Sequence, residues 1–259
     1  MSKDVVSRSL SVHKEHEVLL KLEAAGLTDE LAQKVIGSKD NDLATKVVRL
    51  IQNGGFEATS SQKRAREIMG NNFFGVEENF KHFGIYYAMG PDARKALSEV
   101  PFTEEVLQAH KDTHVLVATF PLSILDIRSK APRSLFYRHE DAWCNSQRFA
   151  KDKGEVAWHL VRKTPVQNST NRTWSDQQSL LSQDEETPTA RVLTYTIIGH
   201  FLATGERLFE HIYVRTSSVV SDDDGGSVGY FGSGGLRVDS RWDDGRSGDL
   251  GVSSSRKSN

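Results

Sequence analysis

The last forty residues, from about Val219 to Asn259, constrain the fold of this chain most. Apolar residues recur there sparsely, at Val228, Phe231, Leu236, Val238, Trp242, Leu250 and Val252, and Gly, Ser, Asp and Arg fill the gaps. The pattern reads as short strands over 227–231, 236–238 and 250–252, separated by polar turns. Composition by itself favours a plain solvated, turn-rich antiparallel sheet. Short polar side chains on a rigid apolar frame are also what adaptable contact surfaces are made of.

The rest of the chain has ordinary globular composition. Of 259 residues, 37% are hydrophobic and 26% charged, enough for a core in one large domain or two modest ones. A formal net charge of -2 leaves no bulk basic footprint for a nucleic acid. Cys144 is the single cysteine, which rules out an internal disulfide, and the opening residues lack an apolar signal core. Both point to a soluble protein of the reducing cytoplasm. The longest apolar run, Thr194–Ala203, is broken by Gly199 and His200 and is too short to span a bilayer.

Along the chain, the first third reads as short helices. They cover Val12–Ala25, Thr28–Ile36, Asp40 or Asp42 to Ile51, Ser60–Met69 and Val76–His82, with Gly26 and Gly37 as stops. Thr103–Ala109 is a further helix. The β-branched run His114–Phe120 reads as a buried strand, Val156–Val161 as a second and Leu208–Val214 as a third. Ser175–Leu181 and Pro188–Ala203 read as helices, with Pro188 in the first turn and Gly205 as the stop. The expected fold class is α+β: a small helical bundle over 1–98, then a domain of short antiparallel strands over 99–259.

Five clusters invite a chemical reading. His110 and His114 have the spacing of a helical zinc pair but straddle a helix-to-strand junction, so solvated or capping roles are expected. His139, Glu140, Asp141 and Cys144 could assemble a thiol nucleophile with a base, as in a hydrolase-type enzyme, although a lone cysteine is usually packing. Asp222-Asp223-Asp224-Gly225 lacks the distant glutamate of a calcium loop and reads as a hairpin turn. Gly232-Ser-Gly-Gly235 lacks the Lys-Ser/Thr of a phosphate loop and reads as a turn. Lys34, Lys39, Lys46 and Arg49 on the second and third helices suit a DNA-reading pair, but Asp29, Glu30, Asp40 and Asp42 offset them. No metal or cofactor is expected.

Residues 112–130 (DTHVLVATFPLSILDIRSK), 158–170 (WHLVRKTPVQNST), 201–218 (FLATGERLFEHIYVRTSS) and the segment VGYFGSGGLRV…WDDGRSGDLGVSSSRK carry a resemblance. They resemble a family of uncharacterised bacterial proteins whose members differ between the apolar anchors of the last forty residues. That pattern is similar to the variable proteins of diversity-generating retroelements, in which adenine-directed mutagenesis rewrites a C-terminal repeat. The resemblance implies a C-type-lectin-like domain, in its formylglycine-generating-enzyme-like version, with a variable region at about 227–253. It implies that Tyr230, Gly232, Gly234, Arg237, Asp239, Ser240, Arg241, Asp244, Gly245, Ser247 and Asp249 contact a ligand, expected to be a protein. Phe231, Leu236, Val238, Trp242, Leu250 and Val252 would hold the frame. Two departures stand out: the face carries little Tyr or Asn, and Cys144 alone cannot supply the cysteine pair of the oxidase branch. The implied protein is not an enzyme, a membrane protein or a nucleic-acid binder, and its oligomeric state is left open.

Overall fold

A computed structural model of the chain describes residues 10–52, 55–85, 90–138, 140–220 and 224–258. The chain forms two compact units, Met1–Gly55 and Phe56–Asn259. Among the described residues no helix is long and apolar enough to cross a membrane.

The first unit holds helices α1 (Val12–Ala24), α2 (Asp29–Ile36) and α3 (Asp42–Gln52). Ser11 and Thr28 cap the first two, their hydroxyls accepting from Lys14 N and Leu31 N, which satisfies backbone donors that have no helical partner. The helices stand where the periodicity places them. None of the described side chains of this unit is buried, however, so the core that a bundle requires is missing from them.

The second unit contains α4 (Ser60–Met69), β1 (Phe73–Phe74), α5 (Val76–Phe83), α6 (Pro91–Ser98), α7 (Glu104–His110), β2 (His114–Thr119), α8 (Ile124–Lys130), α9 (Arg148–Lys151), β3 (Ala157–Arg162), α10 (Trp174–Gln178), β4 (Glu185–Glu186), α11 (Ala190–Thr204), β5 (Tyr213–Val219), β6 (Gly225–Gly232), β7 (Gly235–Arg241), β8 (Leu250–Val252) and β9 (Ser255–Arg256). The arrangement is mixed α+β, the expected class. The expected boundary at 98/99 falls inside this unit, because Met69, Phe80, Phe83 and Leu97 are buried in one core with β2 and α11. Helical periodicity shows that a face is apolar but not which core it enters.

Two sheets flank the core, in strand orders β1-β2-β3-β9-β4 and β7-β6-β5-β8. Helix α11 is buried at every residue from Ala190 to His200 and packs on strands of both sheets, the environment of a helix that is apolar all round. Thr189 caps it, so Pro188 lies just outside its first turn, and Gly205, the expected stop, ends it in the left-handed conformation. Two expectations need correction. The pairings β1–β2 and β5–β8 are parallel, so the strands are not uniformly antiparallel. The strand expected at Leu208–Val214 runs Tyr213–Val219 instead; Leu208 and Phe209 are buried in the preceding turn, where Phe209 takes φ +52, so their apolar character marks core contact and not strand.

Candidate functional site

The register of the second sheet sets which residues share a face. Val214, Val228 and Val238 align across β5, β6 and β7 and face the core. Tyr213 and Arg215 on β5, Ser227 and Gly229 on β6, and Arg237, Asp239 and Arg241 on β7 therefore share the opposite face.

Two glycines shape that face. Gly229 has φ +155, and a Cβ there would lie 2.1 Å from the Ile212 carbonyl oxygen. The ladder shifts register just beyond it, and Tyr230 takes φ +48. The bulge re-aims Tyr230 so that its ring meets that of Tyr213, with centroids 4.7 Å apart. Gly235 has φ +90, and its missing Cβ would lie 2.7 Å from the Phe136 carbonyl carbon. The preceding loop thus lies directly against β7, where Tyr137 N donates to Leu236 O at 3.0 Å.

The consequence is a run of alternating rings and guanidinium groups. Arg237 stands 4.3 Å from the Tyr137 centroid and 5.9 Å from that of Tyr230, Arg241 stands 4.6 Å from Tyr213, and Arg138 stands 5.5 Å from Tyr137, all within cation–π range. Burial raises the Tyr213 hydroxyl pKa, opposed by the hydrogen bond and charge of Arg237. Tyr230 donates to Asp249 Oδ2 at 2.9 Å, and Ser247 donates to Asp249 Oδ1. Those bonds, Ser247 first, hold the Asp249 carboxyl below its usual range. Arg241 donates to Asp239 Oδ2 at 2.9 Å. Beside the run, Arg128, Tyr137, Trp143, Cys144, Tyr213, Arg237 and Asp239 line a pocket of 180 Å³. A second, of 300 Å³, is lined by Ser240, Arg241, Trp242, Gly245, Arg246 and Ser247.

The loop between β7 and β8 is fixed by its backbone. Arg215 is fully buried. Its Nη2 donates to Trp242 O at 2.5 Å and Gly245 O at 2.7 Å, and its Nη1 donates to Gln177 Oε1 at 3.0 Å and Arg172 O at 3.2 Å. Trp174 N donates to Asp243 O and Asn171 N to Ser247 O, both at 2.7 Å. Four carbonyls of the loop are thus held by donors outside it, while Trp242, Asp243, Asp244 and Arg246 project exposed. Trp242, expected as a frame residue, is 71% exposed. It lies one residue beyond the last ladder pair, Gly225 with Arg241, so no strand remains to turn it inward.

Of the expected contact residues, the structure gathers Tyr230, Arg237, Asp239, Arg241 and Asp249, with Ser247 bonded to Asp249 and Asp244 on the adjoining loop. Ser240 lies on the alternate side of β7 from Asp239 and Arg241. Gly245 belongs to the frame: its carbonyl is held by Arg215, and a Cβ there would meet Trp242 O at 3.0 Å. Gly232 and Gly234 lie at the far turn of the hairpin, where Arg207 donates to Gly232 O. Tyr137, Trp143 and Tyr213 join the site from outside 227–253. Of the four exposed large apolar side chains described in the second unit, three (Tyr137 at 39%, Trp143 at 41% and Trp242) are here. Only Tyr213 had a local signal, its alternation with Val214.

The other clusters are dispersed or occupied. Burial raises the Cys144 thiol pKa, and its sulfur accepts from Arg128 Nη2 at 3.4 Å; His139 lies outside the described residues. The His110 and His114 rings meet edge to face at 4.6 Å, with Nδ1 of each bonded locally, to Val106 O and Thr113 Oγ1. Asp222 and Asp223 lie outside the described residues. Gly232–Gly235 is the turn joining β6 to β7. Lys34 and Lys46 pair with Glu30 and Asp42 one helical turn away.

Loop substitutions should separate the exposed positions from those that hold the backbone. Replacing Asp244, Arg246 and Gly248 together, for example by Asn, Tyr and Ser, should change unfolding free energy by no more than about 1 kcal/mol, since Asp244 and Arg246 are exposed and a Cβ at Gly248 meets nothing within 4 Å. Gly245→Asp should cost clearly more. Urea unfolding of the two variants checks the contrast. Comparison of the chain with family models, with curated proteins and with solved structures gave no match.

Proposed function

We propose that the second unit is a non-enzymatic ligand-display domain whose β7 strand and following loop present a diversified surface to a protein partner. One observation carries the reading: the loop's backbone is held by Arg215, Asn171 and Trp174, whereas its side chains at 242, 243, 244 and 246 are exposed. Conformation is thereby uncoupled from side-chain identity, which a surface rewritten in sequence requires. Trp242, Tyr137 and Trp143 supply the rigid aromatic contacts that usually dominate protein recognition, and Arg138, Arg237 and Arg241 supply donors for carboxylates on the partner. The missing tyrosines of the variable segment are thus offset by Trp242 inside it and by Tyr137, Trp143 and Tyr213 outside it.

The reading also assigns the unit a C-type-lectin-like fold, with the C-terminal strand β9 paired to β3; the closing strand expected near Leu250 is β8, which pairs with β5 in the other sheet. A free, buried cysteine is in keeping with a reducing compartment. Against thiol catalysis, the neighbour bonded to Cys144 is a guanidinium, which is no general base.

Deep sequencing of the gene across a population of the source organism tests the proposal. Codon variation should concentrate at adenines for residues 237–249 and spare Arg215, Val228, Leu236, Leu250 and Val252. Uniform codon variation along the last forty positions would overturn it.

A further inference from the structure

We infer that the Met1–Gly55 unit is a self-association module, and that its apolar helix surface is covered by the same surface of a second copy of this chain. Seventeen large apolar side chains are exposed among the described residues, and thirteen of them lie between Leu10 and Ile51, from 37% to 75% exposed. On α3, Leu43, Val47, Leu50 and Ile51 recur at helical spacing; on α1, Val12, Leu19 and Leu22 do the same. At about half exposure each, the thirteen present on the order of 1,000 Å² of apolar surface, comparable to what each partner buries in a standard interface.

Charge disfavours a polyanion, and the area is what a second copy would bury in a stable dimer. Over residues 1–55, eight Lys and Arg balance eight Asp and Glu. A nucleic acid or an anionic membrane needs a basic excess, which this unit lacks. A second copy meets an apolar surface of equal extent and no net repulsion. Glu30–Lys34 and Asp42–Lys46 pair within their own helices, so these charges ask nothing of a partner. Association would also multiply the copies of whatever surface the second unit carries, which raises avidity with no new contact at that surface.

Sedimentation equilibrium of the full chain over a wide concentration range tests this. The expected result is a mass that is a multiple of 28.9 kDa, shifted to the single-chain mass by Val47→Lys with Ile51→Lys, while the unfolding transition of the second unit is retained. Trp242→Ser, on the display loop, should leave the mass unchanged. A wild-type chain that stays at 28.9 kDa at every concentration, its helix surface covered by something else, overturns the inference. So does dissociation by Trp242→Ser with none by the lysine pair.

Discussion

Arg215→Met should lower the melting temperature of the second unit by roughly 10 °C, from a loss of about 3–5 kcal/mol at about 2–4 °C per kcal/mol for a unit of this size. The guanidinium is fully buried on β5 and bonds three carbonyls and the Gln177 amide oxygen. Methionine fills similar volume but donates nothing, so Trp242 O, Gly245 O and Arg172 O lose their donor, each at about 1–3 kcal/mol where water cannot replace it. Burial lowers the Arg215 pKa, and the nearby carboxylates of Asp243 and Asp244 oppose that drop. Protease cleavage of the 242–249 loop should accelerate in the same variant. A scanning-calorimetry midpoint within about 2 °C of wild type would remove Arg215 as the anchor of the loop and with it the main support for the proposed function.

The second large effect is acid lability that begins well above the carboxylate range. Burial pushes the His114 pKa down to about 3, with His110 and Arg162 adding to the drop. Burial and Arg191 push His159 down to about 4. Both lie on the paired strands β2 and β3. In the unfolded chain each titrates near its ordinary value of about 6.5. Between that value and the folded one the unfolded state binds more protons, so stability rises with pH there. The contribution is complete above about pH 6.5 and is lost on acidification toward pH 4, at up to about 1.4 kcal/mol per pH unit for each histidine. Several kcal/mol should therefore disappear before the lowered carboxyls, such as Asp126 and Glu206, begin to titrate. Urea midpoints between pH 7 and pH 4 measure the slope, and His114→Gln with His159→Gln should flatten it. A wild-type profile already flat across that interval would show that these rings accept protons in the folded state.

Most of the longer helices and strands were legible in the sequence, whereas α6, α9, β1, β4 and β9 were not read from it. The strand at His114, the capped helices at Ser60 and Val76, and the short strands near 227, 236 and 250 all occur within a few residues of their expected places, because periodicity, caps and turn glycines are local signals. The site was legible only in part. Tyr230, Arg237, Asp239, Arg241 and Asp249 were on the expected surface, but the rings of Tyr137, Trp143 and Tyr213 beside them were not foreseen. Tyr137 reaches Arg237 through a loop about a hundred residues earlier in the chain, held by a close approach to Gly235 that no spacing rule encodes.

What the sequence determined by itself was therefore the kind of most long segments and the alternation along their strands. Val214, Val228 and Val238 face inward because successive strand residues face opposite ways. The tertiary structure alone decided which surfaces meet. It joined α4, α5 and α6 to the strand core. It ran β8 parallel to β5 and placed Arg215 beneath the 242–249 loop. It also left Trp242 outside, one residue past the end of its ladder. Each of these depends on register and on partners distant in the chain, and a one-residue change of register reverses every side chain on a strand.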